Sequence, residues 1–148
     1  MILQKGNMWD IYDQTDLFLI TANSTLNLHN ELIMGKGIAL QAREKFKGIR
    51  KIFGEEILKE CENYGFYGVI IIPNQKIGLF QTKYHWRDKS DLELIFKSTT
   101  RLIGHILTSN LKWIDLNFPG IGYGGLNRED VLGIIKVLPD CVHVWEYE

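Results

Sequence analysis

A three-layer α/β/α domain with a mixed central sheet is the fold this sequence predicts, and three observations carry it. Short continuous apolar runs, such as Asp16-Leu17-Phe18-Leu19-Ile20-Thr21, have the composition of strands covered on both faces. Stretches of helical period lie between most of these runs, as crossover connections require. One pair of runs, 68–73 and 77–82, is separated only by Asn74-Gln75-Lys76, so it closes as a hairpin and makes the sheet mixed.

Taken in order, Met1 to Lys5 reads as a short edge strand and Asp16 to Thr21 as a buried one. Ala22 to Met34 is rich in Asn and other polar residues and reads as a loop. Gly37 to Phe46 is a helix with Ile38, Ala39, Ala42 and Phe46 on one side, and Ile49 to Tyr64 a second helix with apolar and charged faces. The hairpin follows. Ser90-Asp91-Leu92-Glu93 resembles a capping box and opens a helix to about Ser109. Lys112 to Phe118 is a strand, Asn127 caps a helix from Arg128 to Leu138, and Val142 to Tyr147 is the last strand. No internal repeat, low-complexity tract or linker divides the chain, so 1–148 reads as one domain.

The bulk properties exclude several classes. Hydrophobic content of 45% and charged content of 24% are those of an ordinary soluble domain. A net charge of -1 supplies no strong bulk field toward nucleic acid or anionic membrane, although a local basic patch is compatible with it. No apolar run reaches the length of a membrane span, and the first residues lack the pattern of a signal peptide. Cys61 and Cys141 have no metal-type spacing, and reduced cytoplasmic thiols are the expectation. No metal site and no cofactor are expected.

Two glycine-rich segments are the main functional signal. Met34-Gly35-Lys36-Gly37-Ile38-Ala39-Leu40 runs into a helix, and Phe118-Pro119-Gly120-Ile121-Gly122-Tyr123-Gly124-Gly125-Leu126 joins a strand to another helix. Glycine at such a junction lets the backbone approach a ligand and leaves N–H groups free to bind anions. Gly35-Lys36-Gly37 matches neither the dinucleotide fingerprint nor the phosphate loop of nucleotide triphosphatases, and a tight packing turn would also explain it. Four glycines between Gly120 and Gly125 are costly to order, with Ile121 and Tyr123 between them. Two such loops in one small domain point to a pocket gripping a diphosphate from both sides.

A third segment, Gln81-Thr82-Lys83-Tyr84-His85-Trp86-Arg87-Asp88, follows a strand and precedes a helix. A lysine near a low-dielectric pocket can act as a nucleophile or proton carrier, and His85 can titrate near neutrality. A surface loop anchored by Trp86 is the competing reading. Asn23 is a candidate for holding a ribose hydroxyl, or simply for turning the chain. His105, in a helix, and His143, in a strand, read as structural.

In this order, these segments resemble the macro domain family of ADP-ribose-binding modules over nearly the whole chain. Lys5-Gly6-Asn7-Met8 is similar to the family's first-strand motif beside adenine. Leu19 to Ser24 is similar to the strand and Asn-bearing loop beside the distal ribose, and the two glycine loops are similar to the family's phosphate loops. Met34 to Gln41 and the Thr82-Lys83-Tyr84-His85-Trp86-Arg87 segment resemble the branch of DNA ADP-ribosyl glycohydrolase antitoxins and terminal ADP-ribose protein glycohydrolases, of phage or bacterial type.

The resemblance implies an ADP-ribose-binding hydrolase that removes ADP-ribose from DNA or protein, with Lys83 catalytic; His85, from its own chemistry, is the second catalytic candidate. The same resemblance places substrate at Asn7, Met8, Ala22, Asn23, Gly35, Lys36, Gly37, Ile38, Gly120, Ile121, Gly122, Tyr123, Gly124 and Gly125. Its alternatives are an ADP-ribose 1″-phosphate phosphatase and a non-enzymatic ADP-ribose reader. Implied partners are ADP-ribose or an ADP-ribosylated substrate, including modified DNA, with no membrane and a monomeric state.

Three departures from the family pattern stand out. Asn7 replaces an acidic residue, which removes a charge from the adenine contact. Gly124-Gly125-Leu126-Asn127-Arg128 has no acid before Glu129 and Asp130, where the protein-directed relatives carry a catalytic Asp; this favours the DNA-type branch, or else a reduced activity. The stretch from Ala22 to Ile33 is longer than in the antitoxins.

Overall fold

The computed structural model describes residues 1–147 and contains a six-stranded sheet with helices on both faces. The strands are β1 (Ile2–Lys5), β2 (Leu17–Ala22), β3 (Val69–Ile70), β4 (Ile77–Gln81), β5 (Ile114–Asn117) and β6 (Val142–Glu146). The helices are α1 (Gly37–Lys45), α2 (Ile49–Ile57), α3 (Leu92–Leu107) and α4 (Arg128–Ile135). The sheet order is β1-β6-β5-β2-β4-β3. Every neighbouring pair is parallel except β3 with β4, the expected hairpin. The predicted three-layer fold with a mixed sheet is the one observed.

The apolar run of β2 is continuous because both of its faces are covered. Phe18, Ile20 and Ala22 join Ala39, Ala42, Phe53 and Ile57 from α1 and α2 in one core. Leu17 and Leu19 join Ile95, Leu102, Val131 and Ile135 from α3 and α4 in the other. Each fully buried side chain of this size contributes about 1.5–3 kcal/mol, so the central strand is fixed from both sides.

Three local readings change. The helix that starts at Ile49 widens to π geometry over Leu58–Asn63. The strand expected over 68–73 pairs only through Val69 and Ile70, opposite Phe80 and Leu79. Helix α3 is capped by Asp91, whose side chain accepts from Glu93 N and Leu94 N, and not by a box built on Ser90. Ser90 is drawn instead toward the second glycine loop, where its N–H donates to Gly124 O at 2.9 Å. Asn127 caps α4 as expected, accepting from Glu129 N and Asp130 N.

Candidate functional site

The parallel strands β2, β4 and β5 end side by side, and a cavity of about 450 Å³ opens over their carboxyl ends. This is where α/β sheets offer space for ligands, and the volume suits a small organic molecule. Its floor is Thr21, Ala22 and Asn117. Asn117 extends the β2–β5 pairing beyond the backbone ladder: its Oδ1 accepts from Thr21 N at 2.9 Å, and its Nδ2 donates to Thr21 Oγ1 at 2.8 Å.

One wall is the first glycine loop, with Gly35, Lys36, Gly37, Ile38 and Ala39. No side chain caps the start of α1. Among the described residues, the N–H groups of Gly37, Ile38 and Ala39 donate to no acceptor in the protein. Orphan donors of this kind, at the positive end of a helix dipole, favour an anion. Gly37 has φ 58°, a conformation costly to residues with a Cβ.

The opposite wall is Gly120, Ile121, Gly122, Tyr123 and Gly124. Here too, among the described residues, the N–H groups of Ile121, Gly122 and Tyr123 donate to no protein acceptor. Tyr123 is 74% exposed and arches toward the first loop, with Lys36 Nζ 5.4 Å from its ring centroid. The side chain of Arg128, at the start of α4, pairs with Glu146 at 2.7 Å and lies over Phe118, which fastens the base of this loop to β6. That pairing holds the Glu146 carboxyl below the usual carboxylate range.

The third wall is the segment leaving β4. Thr82 N donates to Ala22 O at 2.9 Å and Asp91 N to Thr82 O at 2.8 Å, so the segment is tied at both ends. Buried Gln81 adds support: its Oε1 accepts from Gly68 N and its Nε2 donates to Ser24 Oγ. Lys83 projects from this frame into the cavity, with Nζ 3.3 Å from Asp88 O. Burial, and then the charge of Lys36, hold its ammonium below the ordinary lysine range, while Asp88 acts in the opposite sense.

The structure brings together Ala22, Asn23, both glycine loops from Gly35 to Ile38 and from Gly120 to Gly124, and Lys83. Asn23 lines the cavity, but its amide is also used internally: Nδ2 donates to Ile33 O and Oδ1 accepts from Thr25 N. Four of the predicted residues lie outside the cavity wall. Asn7 caps a 3₁₀ turn over Met8–Ile11, accepting from Trp9 N. Met8 is buried in the core. His85 is exposed, and its Nδ1 accepts from Arg87 N. Gly125 lies just past the wall, beside the stem of Lys89.

Sequence reasoning did not select Thr21, Ile33, Ala39, Thr82, Trp86, Ser90 and Asn117, which also line the cavity. A signal for Asn117 existed: a polar residue at the end of an apolar strand, where α/β sheets place their ligands. Among the described residues, no group of three or more His, Cys, Asp or Glu is placed to hold a metal ion, and no helix is long and apolar enough to cross a membrane.

A mixed six-stranded sheet whose strand ends open between two glycine loops with unpaired N–H groups defines an α/β module with an anion-favouring cleft. The chain has the macro domain fold. It superposes on the macrodomain of Thermus aquaticus DarG with a TM-score of 0.67 and 26% identity, covering 99% of this chain and 97% of that one. The macrodomain of Mycobacterium tuberculosis DarG gives 0.68 and 26% over the same shares. The Thermosipho africanus DarTG structure in complex with ADP-ribose shares the fold, with a TM-score of 0.76 and 18% identity over all of this chain and 42% of that one.

In sequence, the chain is 29% identical over 138 residues to the DNA ADP-ribosyl glycohydrolase of Mycobacterium tuberculosis, covering 87% of this chain. It spans 39% of the length of that relative. No family model matches the chain.

Proposed function

We propose that this macro domain binds ADP-ribose between its glycine loops and hydrolyses the bond joining C1″ of the distal ribose to a modified macromolecule, with DNA as the favoured acceptor. The observation that carries this reading is the placement of one lysine. Lys83 shares a cavity with two arrays of unpaired backbone N–H groups, and its ammonium is held below the ordinary range. Diphosphate binding to the loops positions the distal ribose, so that binding energy from the remote nucleotide is used at the reacting carbon. The names of the relatives, and the absence of an acid between Gly124 and Arg128, support DNA over protein.

In the proposed reaction the neutral Lys83 amine bonds to C1″ as the C1″–acceptor bond breaks. The proton lost from the amine goes to the acceptor. Water then hydrolyses the new carbon–nitrogen bond, releasing ADP-ribose and restoring the amine. His85 is left without a chemical step, because it lies outside the cavity wall.

The test is ADP-ribose release from ADP-ribosylated DNA and ADP-ribosylated protein, measured side by side. Lys83→Ala should lower turnover by about 10²–10⁴-fold while ADP-ribose affinity stays within a few-fold. Wild-type protein that binds ADP-ribose and releases none from either substrate would remove the hydrolase reading. It would leave a reader, or a phosphatase detectable by phosphate release from ADP-ribose 1″-phosphate.

A further inference from the structure

The sheet ends on one side at β3, and that edge is open. Gln81 N donates to Gly68 O at 2.8 Å, which fixes the phase of the antiparallel ladder between β3 and β4. Hydrogen-bonded and non-hydrogen-bonded pairs alternate along such a ladder, so Val69 and Ile71 turn their N–H and C=O groups away from β4. Among the described residues, no protein group pairs with these outward groups. An edge of this kind is a template for a further strand.

A cavity of about 200 Å³ follows the edge along Val69, Ile70 and Ile71, with a charged wall on each face of the sheet. On the face where Ile70 packs, α2 and its π continuation supply Glu56 and Glu60, about one helical turn apart. On the face where Val69 packs, α3 supplies Arg101 and His105. Lys59 reaches Glu60 from outside the groove, at 3.9 Å, and among the described residues Glu56 pairs with no cation. Arg101 Nε donates to Tyr67 O at 2.9 Å, and its guanidinium lies 5.2 Å from the centroid of the exposed Phe66 ring. Burial, and then the Arg101 charge, hold the His105 imidazole below its ordinary range, so Arg101 is the cation of this wall. Glu93 and Lys97 lie further along α3, on the surface beyond the groove.

The geometry points to a strand-addition site, in which an extended segment of another protein pairs with the outward groups of Val69 and Ile71 and carries alternating basic and acidic side chains, basic toward Glu56 and Glu60 and acidic toward Arg101. Successive side chains of a strand face opposite sides of a sheet, so walls of opposite sign read an alternating charge pattern. Charges of one sign would only guard the edge, whereas these are sorted by face. A second copy docking antiparallel about a two-fold axis normal to the sheet would set Glu56 and Glu60 against their own counterparts, so the charges select a different chain. The groove shares no lining residue with the cavity over β2, β4 and β5, and peptide binding here stands apart from ADP-ribose binding there.

The experiment uses the intact chain and a fluorescein-labelled peptide of strictly alternating Lys and Glu, about ten residues long. A control peptide of the same composition in Lys-Lys-Glu-Glu blocks puts both signs on each face. Anisotropy should show the alternating peptide binding about fivefold more tightly than the block peptide. Glu56→Lys/Glu60→Lys should remove that preference. Ile71→Pro should weaken binding several-fold by deleting an outward N–H, while Tm stays within about 5 °C because the pairing with β4 is untouched. In amide exchange followed by NMR, the alternating peptide should slow Val69 and Ile71 in the wild-type protein. Equal affinity for the two peptides would overturn the site, as would peptide binding that leaves both amides unprotected. A concentration-dependent dimer in sedimentation that Ile71→Pro abolishes would also overturn it, by assigning the edge to a second copy.

Discussion

The two glycine loops have similar composition but use it for different physical ends. In the first, Gly35 has no heavy atom within 4 Å of where a Cβ would stand, and a Cβ on Gly37 would meet only the Tyr123 ring at 3.8 Å. These glycines keep space open. In the second, a Cβ on Gly120 would lie 2.7 Å from Ile95 Cδ1 and 2.9 Å from Leu126 Cδ1, and one on Gly124 would collide with the Ser90 side chain. Those two glycines let the loop lie against the start of α3. Glycine richness therefore marks a cavity wall in one loop, and in the other both a cavity wall and a packing seam.

The largest effect that tests this contrast is on stability. Gly120→Val places a branched side chain at φ 79° and into Ile95. It should cost about 3 kcal/mol, through overpacking and backbone strain, and lower Tm by about 10 °C. Thermal denaturation checks it, and an unchanged Tm would show that the second loop is not a seam.

Gly35→Val should do the reverse. Stability should stay within about 0.5 kcal/mol, because no neighbour is displaced. ADP-ribose affinity should fall on the order of tenfold, or about 1.4 kcal/mol, because the added side chain enters ligand space. Calorimetry paired with a melting curve separates the two outcomes.

A smaller effect concerns pH. The Lys83 ammonium is disfavoured in the fold, so the neutral amine that the proposed reaction requires accumulates as pH rises through its lowered pKa. Lys36→Ala removes one of the two causes of that lowering, raises the Lys83 pKa, and should move the rising limb of the pH–rate profile to higher pH. The same shift bears on stability. Between the lowered value and the unfolded one, the unfolded chain binds more protons at this site, so the fold gains stability as pH rises there. A limb that stays in place in Lys36→Ala would show that burial alone tunes Lys83.

Much of this was legible before any fold was known, for identifiable reasons. The double-faced apolar run of β2 marked a central strand, and the three-residue turn before Ile77 marked the antiparallel edge. Asn127 was readable as a cap because capping involves only the next three residues. Ser90 misled because a tertiary contact to Gly124 competes with the local capping pattern. His85 and Lys83 look equally placed in sequence, two positions apart. Only the anchoring of Thr82 to Ala22 and Asp91 turns Lys83 into the cavity, while His85 stays outside it.

The sequence by itself determined the layers, the two glycine loops and the candidate lysine, because periodicity and turn chemistry act over a few residues. The tertiary structure decided what surrounds that lysine. Thr21, Asn117 and Trp86 are far apart in the chain, and they share a cavity only because long-range packing sets β5, β2 and β4 side by side. The lowered charge preference of Lys83 has the same origin, since burial and a neighbouring Lys36 exist only once the first loop and the end of β4 have met.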